Sequence, residues 1–172
     1  EMLLRDKGAT AALFFNQVMA SDYTDLPNFF ELAASGDWTL EAMIDACTTI
    51  ASSNDGDELI NSATDIWGFV GDDDPVYFLY NAAGYKFAHI DEDGFLDYDF
   101  AEDGGDSIEV MQDIFLNVIY ADWYMHERLI GNKILETDQD LFVDGNALFK
   151  SGMVKDTTTE LKNMTDLYGI LP

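Results

Sequence analysis

Basic residues are scarce in this chain of 172 residues. Eight lysines and arginines face 34 aspartates and glutamates, which gives a formal net charge of −26. A nucleic-acid binder needs cations that displace counterions from phosphates, so this charge balance excludes a nucleic-acid partner. It also disfavours docking onto anionic lipid. The simplest consequence of so many carboxylates is a solvated acidic surface that keeps the protein soluble.

Cysteine is also scarce, and the sequence has no long apolar run and no metal-binding spacing. Cys47 is the single cysteine, so the chain has no internal disulfide. It lies on the apolar stripe of the helix predicted at 40–51, which predicts that it is buried. No run reaches the length of about 18 apolar residues that a membrane span requires, and no targeting leader is visible. His89 and His126 have no Cys or His at metal-ligand spacing. We therefore expect no membrane insertion by this segment, and we expect both histidines at the surface or in a hairpin.

The motifs of common enzymes are absent as well. The sequence contains no nucleophile elbow, no phosphate-binding glycine loop and no His-Glu-x-x-His. A glycosidase pair would need a measured carboxylate separation and a raised pKa. We therefore expect no enzyme, no cofactor and no metal. Calcium remains an alternative for the acidic loops 54–57 and 91–94, although neither matches the EF-hand pattern.

The apolar content is sufficient for a core, since 48 % of the residues are hydrophobic and 13 % aromatic. We expect one domain over residues 1–172, with roughly 70 % of its unfolded surface buried. Apolar runs predict strands, turn residues predict a hairpin, and periodic stripes with capping residues predict helices. The strands fall at 10–15, 66–70, 147–149 and 168–171, the hairpin at 86–98, and the helices at 27–34, 40–51, 75–83, 106–123, 138–143 and 157–164. Strands separated by helices predict an α/β fold.

Several local patterns resemble one known family. They include Gly36-Asp-Trp-Thr39 before an amphipathic helix, Asp65-Ile-Trp-Gly-Phe69 in a strand, and Gly169-Ile-Leu-Pro172. Their order is similar to that in extracellular solute-binding proteins of the family that includes the maltodextrin-binding proteins, which capture substrate for ABC sugar importers. The resemblance implies one lobe of a periplasmic-binding-protein-like type II fold, helix-rich around a small, mostly parallel sheet with a hairpin. It matches the second lobe, with the other lobe absent.

The resemblance also implies a function. The chain would be the substrate-binding component of an ABC-type importer, with a carbohydrate held between this lobe and the missing one. The isolated lobe would bind that carbohydrate weakly. Its other partners would be the ABC permease subunits, and the full protein would be extracellular or at a bacterial cell surface, lipid-anchored through a part outside this chain. The alternative is an acidic extracellular interaction domain with a protein partner and no small-molecule ligand.

Candidate ligand-binding residues follow two of the predicted strands. Asp72, Asp73, Asp74 and Tyr77 combine carboxylates, which accept hydrogen bonds from sugar hydroxyls, with a ring that can stack on a sugar. The alternative is that the aspartates are loop and helix-capping residues and that Tyr77 is half buried. Met153 lies in a predicted strand-to-helix loop, where the resembled family has an aromatic residue. We expect all five residues to line one concave surface.

Overall fold

The computed structural model describes residues 8–54, 56, 58–98, 105–126 and 138–172. Contacts within the chain group it into two compact units. The first unit consists of Glu1–Asp72 and Asp122–Pro172, and the second consists of Asp73–Ala121. The single domain over residues 1–172 that the sequence suggests stays a prediction.

The first unit is built on a five-stranded sheet. Its strands, in spatial order, are β5 (Tyr124–His126), β2 (Trp67–Gly71), β6 (Ala147–Met153), β1 (Ala11–Asn16) and β7 (Tyr168–Leu171). Strand β2 pairs in parallel with β5 and β6, whereas β1 pairs antiparallel with β6 and β7. Four of these strands therefore run in one direction and β1 opposes them. This arrangement confirms the predicted α/β class with a mostly parallel sheet.

The middle of this sheet is buried because its strands are almost continuously apolar. Phe149 of β6 pairs with Phe15 of β1 on one side and with Phe69 of β2 on the other. Gly68 brings the helix that carries Cys47 close to β2, since a Cβ added to Gly68 would lie 2.6 Å from the Cβ of Cys47. Cys47 is fully buried there, as the apolar stripe predicts.

Three helices lie between β1 and β2, and side-chain caps explain where each one begins. They are α1 (Gln17–Asp22), α2 (Phe29–Ser35) and α3 (Leu40–Ile50). The side chains of Asn16, Asn28 and Thr39 accept backbone N–H groups of the first turns of α1, α2 and α3 respectively. Gly36 ends α2 in the left-handed conformation, with a φ of 83°. The sequence does not predict helix α1.

The long helix that the sequence predicts over 106–123 is shorter in the structure, because helical structure ends at Ile119 and a turn leads into strand β5. Trp123 follows the helical segment instead of lying on its apolar face, and Tyr124 begins the strand. His126 is 4 % exposed at the end of β5, so its expected surface position is wrong. The reason is pairing with β2, which aligns Phe69 with Tyr124 and Gly71 with His126. Three residues are too few for a strand signal in the sequence.

The end of the first unit also differs from the prediction. Helix α6 (Asp138–Val143) forms as expected, but the helix predicted at 157–164 is replaced by two 3₁₀ turns, Val154–Thr158 and Leu161–Asn163. The carboxylate of Asp156 accepts the backbone N–H of Met153 at 2.6 Å. The hydroxyls of Thr157 and Thr158 donate to the carbonyls three residues earlier. Such local bonds compete with a regular α-helix.

The second unit combines helices with a hairpin. Its elements are α4 (Pro75–Ala82), β3 (His89–Ile90), β4 (Leu96–Asp97), α5 (Asp106–Ile114) and a π-helical segment (Phe115–Ile119). Ile114, on the apolar face of the predicted helix, is fully buried. Strands β3 and β4 form the predicted antiparallel hairpin. Helix α5 begins at the predicted residue. The spacing of Asp106 and Glu109 in the sequence is that of a capping box, but this interpretation is wrong, because Gly105 occupies the N-cap position and no side chain caps the helix.

Candidate functional site

The carboxyl ends of three adjacent strands meet at one edge of the sheet in the first unit. Strands β5, β2 and β6 are parallel neighbours, and their register pairs Gly71 with His126 and Val70 with Lys150. Open α/β sheets bind ligands at this edge, because the loops that leave the strands there face a crevice. We call this edge, with Asp72, His126, Lys150 and Met153 beside it, the carboxyl edge.

Asp72 is the first residue after β2 and is only partly exposed. Its backbone carbonyl accepts the hydroxyl of Tyr124 at 2.7 Å. The ring of Tyr124 stacks on Phe69, with centroids 5.2 Å apart and ring planes 20° apart. A buried aromatic pair therefore holds the backbone where β2 ends. The geometry confirms the predicted place of Asp72 after a strand.

Met153 lies at the same edge, but in a strand. Strand β6 continues to Met153, which pairs with Ala11 of β1. The expectation that residues 151–154 form a strand-to-helix loop is therefore wrong for Ser151, Gly152 and Met153. The reason is the antiparallel partner β1, which extends the ladder beyond the apolar run at 147–149. Met153 is half-buried and can offer a ligand apolar contact.

Two buried polar side chains at the carboxyl edge are missing from the predicted site. His126 and Lys150 are each 4 % exposed. The Nζ of Lys150 donates to the carbonyl of Ser151 at 3.2 Å. A signal for Lys150 exists in the sequence, since a lysine directly follows the apolar run Ala-Leu-Phe. No comparable signal marks His126, because only the pairing of β5 with β2 brings it to this edge.

The other predicted site residues belong to the second unit. Asp73 and Asp74 precede α4, and Asp74 is its N-cap residue without a side-chain capping bond. Tyr77, in the first turn, is 52 % exposed. Its ring meets the edge of Phe87, with centroids 5.5 Å apart and planes at 63°. Phe87 thus supports a ring that stays half exposed, and no pattern in the sequence indicates this support.

Phe87 is itself held by the core of the second unit. Its ring lies 4.5 Å from that of Tyr80, with planes 32° apart. Tyr80 is fully buried, and its hydroxyl donates to the carbonyl of Lys86 at 3.4 Å. The exposed ring of Tyr77 therefore rests on two further rings. The expected single surface that joins Asp72 and Met153 to Asp73, Asp74 and Tyr77 involves both units and stays a prediction.

Metal binding finds no support among the described residues, which contain no group of three or more His, Cys, Asp or Glu that could hold an ion. Asp55 and Asp57, from the loop proposed for calcium, lie outside them. The twelfth residue of that loop, Asp65, accepts the backbone N–H groups of Asn54, Asn61 and Ser62. Of the described helices, none combines the length and apolar character of a membrane span.

Comparison with known proteins shows a similarity of fold. No known protein family matches the chain, and no curated protein matches it in sequence. Among solved structures, the crystal structure of M. tuberculosis UspC (monoclinic crystal form) is similar, with a TM-score of 0.55 and 16 % sequence identity. The similarity covers 95 % of this chain and 41 % of the UspC chain. The chain thus spans about two fifths of UspC and shares its fold over that length.

These comparisons correct the family assignment. The ordered motifs suggested the maltodextrin-binding type of extracellular solute-binding protein, and that assignment is wrong. No family model matches the chain, and the similarity to UspC, at 16 % identity, is one of fold alone. The structure supplies the reason, because several motif residues have purely local roles. Gly36 ends α2, Thr39 caps α3, and Asp65 binds three backbone N–H groups of its own loop. Such residues recur in unrelated α/β proteins wherever a helix or loop needs them.

Proposed function

We propose that this chain is the substrate-binding component of an ABC-type importer and that its substrate is a carbohydrate. The observation that carries the proposal is the carboxyl edge, where three parallel strands end side by side and where open α/β sheets bind ligands. The pairing of β1 with β7 supports it further, because a lobe of a two-lobed binding protein needs its entering and leaving strands together. The fold shared with UspC agrees with this arrangement.

The residue types favour a carbohydrate. Asp72 at the carboxyl edge offers a carboxylate, and Asp73 and Asp74 offer two more in the second unit. Carboxylates accept hydrogen bonds from neighbouring sugar hydroxyls, while an aromatic face stacks on the C–H face of a sugar ring. Tyr77 offers a half-exposed aromatic ring, supported by Phe87. Met153 adds apolar contact.

The rest of the proposal concerns the whole protein. The similarity covers 41 % of the UspC chain, so we assign the remaining contacts with the carbohydrate to a second lobe. The partners of the full protein would be ABC permease subunits, and it would act outside the cell or at a bacterial cell surface, held by a lipid anchor. The chain would bind its substrate without converting it. Surface labelling of intact cells tests the location.

Calorimetry on the full-length protein with a panel of mono- and oligosaccharides tests the binding. We expect one sugar to bind at least tenfold more tightly than the others, and we expect the isolated chain to bind it with a Kd above about 0.1 mM, because half of the contacts are missing. The bound sugar should be recovered unchanged after prolonged incubation. If the full-length protein binds no saccharide, the acidic interaction domain becomes the better hypothesis.

Substitution of Tyr77 tests the residue that should stack on the sugar. Tyr77→Ala in the full-length protein should weaken sugar binding by about 1–3 kcal/mol, as the loss of an aromatic anchor does. Tyr120→Ala is the matched control, because Tyr120 is 63 % exposed in the same unit and also contacts one phenylalanine ring. Equal affinities for the two variants would show that Tyr77 does not contact the sugar. Asp72→Asn tests the carboxyl edge in the same way.

A further inference from the structure

The hairpin of the second unit displays a cluster of apolar side chains. Ile90, Phe95, Leu96 and Tyr98 are between 59 and 70 % exposed, and they fall within nine consecutive residues. Ile90 pairs directly with Leu96 across the hairpin, so these two side chains are neighbours. Scattered apolar residues are normal on a protein surface, but a group of them marks an interaction site. We call these four residues the hairpin cluster.

The turn that carries the hairpin cluster is held by a specific set of hydrogen bonds. The Oδ1 atom of Asp91 accepts the backbone N–H of Asp93 at 3.0 Å and that of Phe95 at 2.7 Å. The backbone N–H of Asp91 donates to the carbonyl of Phe95 at 2.8 Å. Gly94 takes the left-handed conformation, with a φ of 87°. The apolar side chains are therefore displayed on an ordered turn, which lowers the entropy cost of binding.

The hairpin receives little support from the rest of the described chain. Strands β3 and β4 pair with each other, and neither packs extensively against another described helix or strand. Each strand has only two residues. A two-stranded hairpin is marginally stable in water unless something packs on it. The hairpin cluster is thus a group of exposed apolar side chains without an extensive cover among the described residues.

The negative charge around the hairpin cluster indicates what kind of surface can cover this cluster. Glu92 and Asp93 stand exposed at the tip of the turn, beside Asp91. The sequence from 73 to 121 contains twelve aspartates and glutamates, no arginine and a single lysine, Lys86, a net charge of −11. A second copy of this chain or an anionic membrane would be repelled by this charge. A cationic surface would be attracted, and its charge would steer the encounter.

We propose that the hairpin cluster docks into an apolar groove, rimmed by lysines and arginines, on a protein partner. Phe95 and Tyr98 would be the aromatic anchors, and the carboxylates of the turn would meet the cationic rim. Aromatic residues in desolvated pockets carry most of the binding energy in protein interfaces. The inference concerns residues other than the candidate ligand-binding ones and stands whether or not the protein binds a sugar.

The probe is a synthetic peptide of about twelve residues in which Leu alternates with Lys, so that an extended conformation has one apolar and one cationic face. The full-length protein, labelled with ¹⁵N, is titrated with this peptide and with a control in which Ser replaces Leu. We expect amide shifts centred on the hairpin with the first peptide and at least tenfold weaker binding of the second. Binding should weaken in about 0.5 M salt, because the charges are then screened.

Substitutions test whether the residues of the hairpin cluster bind the Leu-Lys peptide. Phe95→Ser with Leu96→Ser should weaken binding of the Leu-Lys peptide at least tenfold. Leu167→Ser is the control, because Leu167 is 71 % exposed in the first unit. Amide shifts elsewhere in the spectrum show whether each variant keeps its fold. Shifts spread evenly over the acidic surface, equal binding of both peptides, self-association that the double substitution abolishes, or binding to phosphatidylcholine vesicles would each overturn the proposal.

Discussion

Asp65 should be among the most sensitive single positions for stability. It is fully buried, and its two carboxylate oxygens accept three backbone N–H groups. Oδ1 accepts that of Asn54 at 2.8 Å, and Oδ2 accepts those of Asn61 and Ser62 at 2.9 and 2.8 Å. One side chain thus ties both ends of the loop 54–62 to the start of β2. Asp65→Ala would leave these donors without their acceptor.

The expected magnitude follows from those bonds. A hydrogen bond to a charged group contributes about 1.5–3 kcal/mol, and the three bonds are not additive because they share one carboxylate. We expect Asp65→Ala to lower the free energy of unfolding by about 3–5 kcal/mol, out of a total of about 5–15 kcal/mol. Asp65→Asn should cost less, since its carbonyl oxygen can still accept one or two of the N–H groups.

The effect should depend on pH in a defined direction. Burial raises the pKa of the Asp65 carboxyl, but the hydrogen bonds from Asn54, Asn61 and Ser62 outweigh burial and lower the pKa below its ordinary value. A lowered pKa in the folded state stabilises the fold above the unfolded pKa of about 3.9. This stabilisation is lost as the pH falls through the folded pKa. The cost of Asp65→Ala should therefore be constant near neutral pH and shrink below about pH 4.

Urea unfolding followed by tryptophan fluorescence measures the change. With a slope of about 2 kcal/mol/M, the midpoint should fall by about 1–3 M for Asp65→Ala. Trp67 reports on the loop directly, because its Nε1 donates to the carbonyl of Ser62 at 3.1 Å. Asp25→Ala, which removes an exposed carboxylate, is the control. If Asp65→Ala lowers the midpoint no more than Asp25→Ala, or if its cost stays constant down to about pH 2, the role assigned to Asp65 is wrong.

Three further predictions concern the first unit. Gly68→Ala should lower the free energy of unfolding by at least about 1–3 kcal/mol, because the added Cβ would lie 2.8 Å from the backbone Cα of Cys47. Gly8→Ala is the control in the same urea titration and should cost less, because the atom nearest to its added Cβ is 3.5 Å away. Burial raises the pKa of the Cys47 thiol, so a thiol reagent at pH 8 should modify Cys47 only after the protein unfolds. Fast labelling of the folded protein would contradict the burial of Cys47. Thr39→Ala removes the N-cap bond to Ala42 and should cost about 1 kcal/mol, whereas Thr39→Ser should restore most of it.

Local structure could be predicted well from the sequence because its causes are local. A helix begins where a side chain can accept an unpaired N–H, so Thr39 marks the start of α3. A helix often ends at a residue that tolerates a positive φ, so Gly36 marks the end of α2. The apolar runs at 10–15 and 66–70 become β1 and β2 because buried strands need apolar side chains on both faces. These rules involve only neighbours in sequence.

The errors in the predicted strands arise where a residue that is distant in the sequence determines the local structure. Tyr124 and His126 form a strand because β2 lies beside them. Met153 is part of a strand because Ala11 pairs with it. The 3₁₀ turns that begin at Val154 are an exception, because local bonds such as that between Asp156 and Met153 produce them. The family assignment fails for a different reason, since short motifs such as Gly36 with Thr39 report a local role more reliably than a common ancestor.

The sequence by itself determined the α/β class, the place of Asp72 after a strand and the burial of Cys47, because each follows from composition or from periodicity along the chain. Only the tertiary structure decided which residues meet. The order of the strands brings Asp72, His126 and Lys150 to the carboxyl edge, although they are far apart in sequence. It also shows that Phe87 supports the ring of Tyr77. Long-range pairing depends on the free energy of the whole packed core, and no short stretch of sequence contains that information.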